Sequence, residues 1–188
     1  MYRGRVLGTQ RMTPCYHAPM VNASSETRVL RVGVISDTHG LFDPRLKELF
    51  AGVDHILHAG DIGAMTVLDS LAAIAPVTAV RGNVDHEAWG WDLPDEAAVE
   101  LNGRRILVAH IKEDLLRHRD PEREGFSAVV TGHSHAPTLV QRGDVLYLNP
   151  GSAGRRRFHL PRAVALLNVP AVGALQAKIT ILEQGSRN

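Results

Sequence analysis

The 188-residue sequence predicts an α/β fold in which two β-sheets pack face to face with helices outside. Three observations predict it. Residues 29–83 alternate β-branched apolar runs with helix-spaced ones, which is how a parallel sheet layer reads. Residues 97–182 carry two hairpin signals and further strand-like runs, too many to join the first layer alone. Each run that reads as a core strand also ends in a short polar cluster.

The elements follow in order. The first 25 residues contain no acidic side chain and hold no lasting period, so residues 1–28 are expected to be a flexible extension and 29–188 a single domain. "VLRVGVI" (29–35) is the first strand, "RLKELFAG" (45–52) a short helix closed by Gly52, and "HILHAG" (55–60) the second strand. "AMTVLDSLAAIA" (64–75) has helical spacing that Pro76 ends, and "VTAVRGN" (77–83) is the third strand. Then "AAVELNGRRILVAH" (97–110) turns at Asn102-Gly103 and "TLVQRGDVLYLN" (138–149) at Gly143-Asp144, both hairpins, with the apolar run "SAVV" (127–130) between them. "RAVALLNV" (162–169) and "ALQAKITIL" (174–182) supply the last strands.

Composition narrows the function. Lys plus Arg number 21 against 20 Asp plus Glu, so no strongly basic surface awaits a nucleic acid, and neither stable nucleic-acid binding nor a nuclease is expected. A single cysteine, Cys15, excludes an internal disulfide and a cysteine-rich zinc cage. No run approaches the ~20 apolar residues of a membrane span, so the expectation is a soluble, cytoplasmic protein without a membrane partner. Ten histidines are the oddity.

Four of those histidines fall in polar clusters at strand ends. "VGVI" is followed by Asp37 and His39, "ILHA" by Asp61, "VTAVR" by Asn83 and Asp85, "RILVA" by His110, and "SAVV" by "TGHSH" with His133 and His135. An extended His-x-His presents both rings to one side, their Cβ atoms about 6–7 Å apart, which suits ligands for one metal or for two adjacent ones. In open α/β sheets the carboxyl ends of strands line one crevice, so groups far apart in sequence can meet there. Oxygen and imidazole donors without thiolate suit Mn, Fe, Zn, Co or Ni, and their number exceeds what one ion takes. Two ions need a bridging carboxylate, and Asp61 on its glycine-flanked turn is the candidate. Asp37, His39 and one histidine of the pair would complete one ion's shell; Asn83, His110 and the other histidine would complete the second. With a bridging hydroxide the centre keeps a net positive charge, which favours an anionic phosphate ester and offers a nucleophile at neutral pH.

"SDTHG", "GDIG", "RGNVD", a lone histidine after a strand, "TGHSH" and "NPGSAG" stand in an order that resembles the calcineurin-like metallophosphoesterases, and most closely their small single-domain prokaryotic phosphodiesterase branch. The resemblance runs from about residue 30 to 183. It implies a four-layer αββα sandwich of two mixed β-sheets flanked by helices, and a metal-dependent phosphodiesterase acting on small phosphate esters. It assigns Asp37, His39, Asp61 and His135 to the first ion and Asp61, Asn83, His110 and His133 to the second, with Asp61, Asn83 and His110 bearing most directly on catalysis. The implied cofactor is a pair of divalent ions, Mn first, with Ni, Co, Fe or Zn as substitutes. Homo-oligomerisation is left open. The alternative is a non-catalytic interaction scaffold, as in a retromer subunit related to this branch; a scaffold is free to lose ligands, and all seven positions here keep donors.

Some positions depart from the pattern. Val84 stands where relatives with phosphatase activity often carry a histidine that protonates the leaving alkoxide, so low-pKa leaving groups should react best. Ile111 and Lys112 replace the usual glycine and histidine after His110; Lys112 is either a charge for the phosphate or a solvated lysine. Arg155 to Arg157 either frame an anionic substrate or form a solvated loop, and Asn149 to Ser152 form a turn supporting the site. Asp85 is expected to orient ligands rather than bind. Trp89 and Trp91 either wall a pocket or cap the core. His55 and His58 are assigned to packing or surface, His86 to an ordinary loop, and His17, His118 and His159 to no role.

Overall fold

The computed structural model describes residues 28–182 apart from Ala88 and Phe158. Most of the expected extension, with Cys15 and His17, therefore lies outside the described residues, as does the side chain of Trp91. In chain order the elements are β1 (Leu30–Ile35), α1 (Leu46–Leu49), β2 (His55–His58), α2 (Met65–Ala72), β3 (Val77–Ala79), β4 (Glu96–Leu101), β5 (Arg104–Ala109), α3 (Lys112–Leu115), β6 (Ala128–Val130), β7 (Thr138–Arg142), β8 (Val145–Asn149), β9 (Ala163–Val169) and β10 (Gln176–Ile181). They form two five-stranded sheets, ordered β10-β9-β1-β2-β3 and β4-β5-β6-β8-β7. Both are mixed: β1, β2 and β3 run parallel, β9 pairs antiparallel with β1 and β10 antiparallel with β9, while β5, β6 and β8 run parallel between antiparallel edges.

Alternation along the strands sorts the apolar side chains into layers. Val32 and Val34 of β1, Leu57 of β2, Ile106 and Val108 of β5, Val130 of β6 and Leu167 of β9 fill the space between the sheets. Ile35 and Ile56 face outward and meet Leu46, Phe50, Leu68 and Leu71 from the α1 and α2 region. Gly33 lets the Phe50 ring lie directly on β1, since a Cβ there would sit 3.1 Å from that ring. On the far side Leu107 and Val129 meet Leu115 and Phe126. The sandwich is thus the expected one, with a thin fourth layer: α3 has four residues, and the chain from 116 to 126, broken by buried Pro121, completes the cover. Arg105 and Arg119 stack on Phe126, their guanidinium carbons 4.3 and 5.6 Å from the ring centre.

The Asn102-Gly103 hairpin has φ of 51° and 70°, as a two-residue type I′ turn requires. Its Asn102 amide also bonds the carbonyls of Arg28 and Val169 at 2.8 and 2.7 Å, tying the second sheet to the first. Trp89 packs with Leu93 against the α1 and α2 layer, so it caps the core. No described helix is long and apolar enough to cross a membrane.

Candidate metal centre

The turns that follow the parallel strands are sewn together at one edge. Asp37 N–H bonds Gly60 O at 3.0 Å, His39 N–H bonds Asp61 O at 3.0 Å, and Gly132 N–H bonds His110 O at 3.0 Å. Close approach is possible because small residues sit at the crossings. A Cβ on Gly132 would run into the Ser36 hydroxyl and lie 2.8 Å from both Ala59 O and an Asp37 carboxylate oxygen.

All seven predicted ligands come together in two linked clusters. In the first, Asp37 Oδ1 lies 3.1 Å from His135 Nε2, His135 Nε2 lies 3.3 Å from His39 Nε2, and His39 Nε2 lies 3.9 Å from Asp61 Oδ2. In the second, Asp61 Oδ1 lies 3.4 Å from His110 Nε2, and Asn83 Oδ1 lies 2.9 Å from His110 Nε2 and 3.0 Å from His133 Nδ1. The two oxygens of Asp61 therefore face different clusters. His133 and His135 stand in different clusters, and their backbone is not the extended one that the alternation assumed. β6 ends at Val130, and both histidines sit beyond it with φ of 66° and 56°, so the segment is not extended. Their rings part: His133 meets His110 edge-on at 5.2 Å between centroids, and His135 meets His39 at 5.3 Å.

Backbone conformation marks the same residues. Asp37, His39, Asp61, His133 and His135 all have φ between 46° and 66°, and among the described non-glycine residues only Asn102 and His159 join them. Such backbone costs an L-residue roughly 1–2 kcal/mol and clusters at functional sites. The surrounding hydrogen bonds hold it in place. Asp85, almost wholly buried, accepts N–H bonds from Ile62 at 3.2 Å, Gly63 at 2.9 Å and Gly82 at 2.8 Å, fixing the Asp61 and Asn83 turns to each other. Asn149 donates to Gly132 O at 2.6 Å and accepts from Gly151 N–H at 2.8 Å, while the Ser152 hydroxyl donates to Asp37 O at 2.9 Å. The "NPGS" turn thus braces both the Asp37 turn and the His133 turn.

The donor set fits divalent cations. Ligand atoms about 2.1 Å from a common ion stand about 3.0–3.4 Å apart at ordinary coordination angles. Five of the six separations given above lie between 2.9 and 3.4 Å and the His39 to Asp61 distance is 3.9 Å; ligand atoms of Asp37, His39 and His135 lie within 4.8 Å of one another, as do those of Asp37, Asp61 and His110. His110 Nδ1 lies 2.7 Å from Ala59 O, a carbonyl that can only accept, so this nitrogen carries the proton. In the neutral ring Nε2 then offers a lone pair beside two further acceptors, Asp61 Oδ1 and Asn83 Oδ1. Three acceptors aimed at one another call for a cation or for a proton on Nε2.

Without a cation the electrostatics favour that proton. Burial opposes charging of His110, but the hydrogen bond and charge of Asp61 outweigh it and hold the ring above the ordinary histidine value. Burial likewise works against an ionised Asp61, yet the His110 hydrogen bond and charge and the Val84 N–H, 2.9 Å from Oδ1, keep the carboxyl below its usual range. His39 is lowered by burial first and by the Arg157 guanidinium second, which favours the neutral ligating ring.

Other positions resolve differently. Lys112 is half-buried and pairs with Glu113 at 3.5 Å. His55 bonds Thr78 Oγ1 at 2.8 Å in the sheet. His58, assigned to packing or surface from the sequence, supports the site. Fully buried, it contacts Thr38 Oγ1 at 3.0 Å, and Thr38 donates to Ile62 O at 2.9 Å. It thereby pins the residue between Asp37 and His39, and burial above all lowers its pKa to about 4. A polar residue in the buried run before "GDIG" was the available signal. Asp43 was also missed: it pairs with Arg45 at 2.6 Å and Arg162 at 2.8 Å.

Comparison with known proteins places this geometry. The sequence profile of the calcineurin-like phosphoesterase superfamily domain matches residues 30–171. A probable metallophosphoesterase of Methanocaldococcus jannaschii is 36% identical over 166 residues, covering 81% of this chain and 82% of that protein. Among solved structures, an archaeal phosphodiesterase superposes with a TM-score of 0.67 at 20% identity, over 81% of this chain and all of the other. Vacuolar protein sorting 29 of Cryptosporidium parvum superposes with a TM-score of 0.65 at 18% identity, over 83% of this chain and 99% of the other. The chain belongs to the calcineurin-like phosphoesterase superfamily.

Proposed function

We propose that this protein is a dinuclear metal-dependent phosphodiesterase that hydrolyses small phosphate esters, with Mn as its metal. One observation carries the reading: Asp61 turns one oxygen to the Asp37, His39 and His135 cluster and the other to the His110, Asn83 and His133 cluster. When bound, two divalent ions would supply a water ionised near neutral pH and Lewis-acid polarisation of the phosphoryl oxygens.

The protein's part is to hold and aim. Asp37, His39, Asp61 and His135 would hold one ion, and Asp61, Asn83, His110 and His133 the other. The Ala59 carbonyl fixes which nitrogen of His110 is free, and Asp85 keeps the Asp61 and Asn83 turns in register. Asn83 and His133 are exposed whereas Asp37, Asp61 and His135 are buried, so substrate would arrive from the Asn83 side. Val84 offers no proton to a departing alkoxide, which favours aryl and other low-pKa leaving groups. The near-balanced charge argues against a nuclease.

The test is hydrolysis of bis(p-nitrophenyl) phosphate with Mn, Ni, Co, Mg and Zn, alongside metal analysis of the purified protein. Mn-dependent turnover, lost in Asp61→Asn, is the expected result; full turnover by metal-stripped or Asp61→Asn protein defeats the proposal. The fold likeness to vacuolar protein sorting 29 motivates the second reading, an interaction scaffold. Absence of bound metal together with absence of turnover would select it.

A further inference from the structure

Most arginines near the site are committed. Arg45 and Arg162 pair with Asp43, and Arg162 also donates to Gly154 O at 2.6 Å and Ala153 O at 2.8 Å, anchoring the base of the loop that follows the "NPGSAG" turn. Arg81 pairs with Asp95 and Arg119 with Glu124. Arg155, Arg156 and Arg157 differ. They are exposed, and among the described residues no carboxylate pairs with any of them. They border one small recess together with Ser152, Arg162 and the candidate ligand His135, so the arginine loop abuts the candidate metal centre. Arg157 is near enough to His39 for its charge to act on that ring. The loop is locally fixed, with Leu160 N–H on Arg157 O at 3.2 Å and an Arg156 guanidinium nitrogen 3.5 Å from His159 O.

With two divalent ions bound the centre would be positive, and three guanidinium groups without a carboxylate partner beside it would repel one another and those ions. An anion relieves that repulsion. A simple phosphodiester brings one negative charge, which the metal centre takes up. The loop is therefore left with charge suited to a second, dianionic group, and guanidinium forks match phosphate oxygens two at a time. Resting on the phosphodiesterase reading above, we infer that the substrate carries a second phosphoryl group besides the one hydrolysed, and that Arg155, Arg156 and Arg157 bind it. The reaction stays a hydrolysis: water adds to the diester phosphorus, the bond to the leaving oxygen breaks, and one proton is released at neutral pH. The second phosphate is bound and unchanged.

Three substrates with the same leaving group test this with the Mn-loaded protein: bis(p-nitrophenyl) phosphate, thymidine 5′-(p-nitrophenyl phosphate), and its 3′-phosphorylated analogue. The analogue should have a KM at least about tenfold below that of the unphosphorylated nucleotide, as charge-assisted hydrogen bonds give, with a similar kcat. In the Arg155→Gln/Arg156→Gln/Arg157→Gln variant that ratio should fall to near one, whereas Arg123→Gln, a distant charge control, should keep it. A metal-independent readout accompanies the kinetics: metal-stripped protein should bind thymidine 3′,5′-bisphosphate more tightly than thymidine 5′-monophosphate, and the triple variant should not. Equal KM for the two nucleotides, or an equal loss in Arg123→Gln, overturns this inference while the diesterase reading stands. No turnover of bis(p-nitrophenyl) phosphate overturns that reading and this inference with it.

Discussion

Asp85→Asn isolates the brace from the ligands. The substitution keeps size and shape but replaces one carboxylate oxygen by an NH2 group, which cannot accept. Oδ2 serves Ile62 and Gly82 and Oδ1 serves Gly63, so the less damaging amide orientation keeps the first two bonds and sets an NH2 against the Gly63 N–H, 2.9 Å from Oδ1 in the native protein. Losing one charge-assisted bond costs about 1.5–3 kcal/mol, and making the other two neutral adds about 0.5–1 kcal/mol each. The sum is about 2.5–5 kcal/mol, because the site is almost fully buried and water cannot substitute. At a urea slope of about 2 kcal/mol per molar, the unfolding midpoint should fall by about 1–2.5 M. Gly63 adjoins the Asp61 turn, so Mn affinity should also weaken by about 10–100-fold, the usual effect of disturbing a group that orients a ligand. Urea unfolding of metal-stripped protein and Mn titration read the two effects separately. An unchanged midpoint together with unchanged Mn affinity would show that Asp85 does not hold the two turns in register.

Three further outcomes are expected. His135→Ala should reduce bound Mn from two ions per chain towards one and cut diester turnover by at least about a hundredfold, as metal analysis and initial rates would report. The unfolded chain protonates His58 near its ordinary value of 6.5, whereas the buried native ring resists until about 4. Its effect is therefore absent above pH 6.5 and destabilises increasingly as pH falls towards 4, by about 3 kcal/mol in all; urea midpoints of His58→Gln against pH should show a correspondingly shallower decline. Gly132→Ala should weaken Mn binding and cost about 1–3 kcal/mol, since the added methyl strikes Ser36, Ala59 and Asp37. Gly103→Ala, with nothing within 4 Å of its Cβ, should cost only the backbone strain of its positive φ.

The sequence conveyed the strands and the polar clusters because both follow from short-range rules. Runs such as "VGVI" and "RILVA" are buried on both faces, so they read as continuous apolar segments, and the turn residues after them stand out. Element lengths were less legible. The run 64–75 yields α2 only over Met65–Ala72, and 77–83 yields a three-residue β3, because the polar turn departs from the sheet after Val80. The weakness of the fourth layer was hidden because Leu115 and Phe126, which cover β5 and β6, lie mostly in irregular chain without a period. At the site the residue types were readable but the backbone was not. Alternation assumes extended chain, and His133 and His135 are left-handed, so their rings diverge to separate clusters. Asp43 and His58 escaped because their partners, Arg162 and Thr38, lie far away in sequence.

The left-handed ligands set activity against robustness. Asp37, His39, Asp61, His133 and His135 each occupy a conformation that glycine adopts freely. Glycine at any one of them would relieve backbone strain while removing a donor of the proposed centre, so thermal tolerance and metal affinity should move in opposite directions.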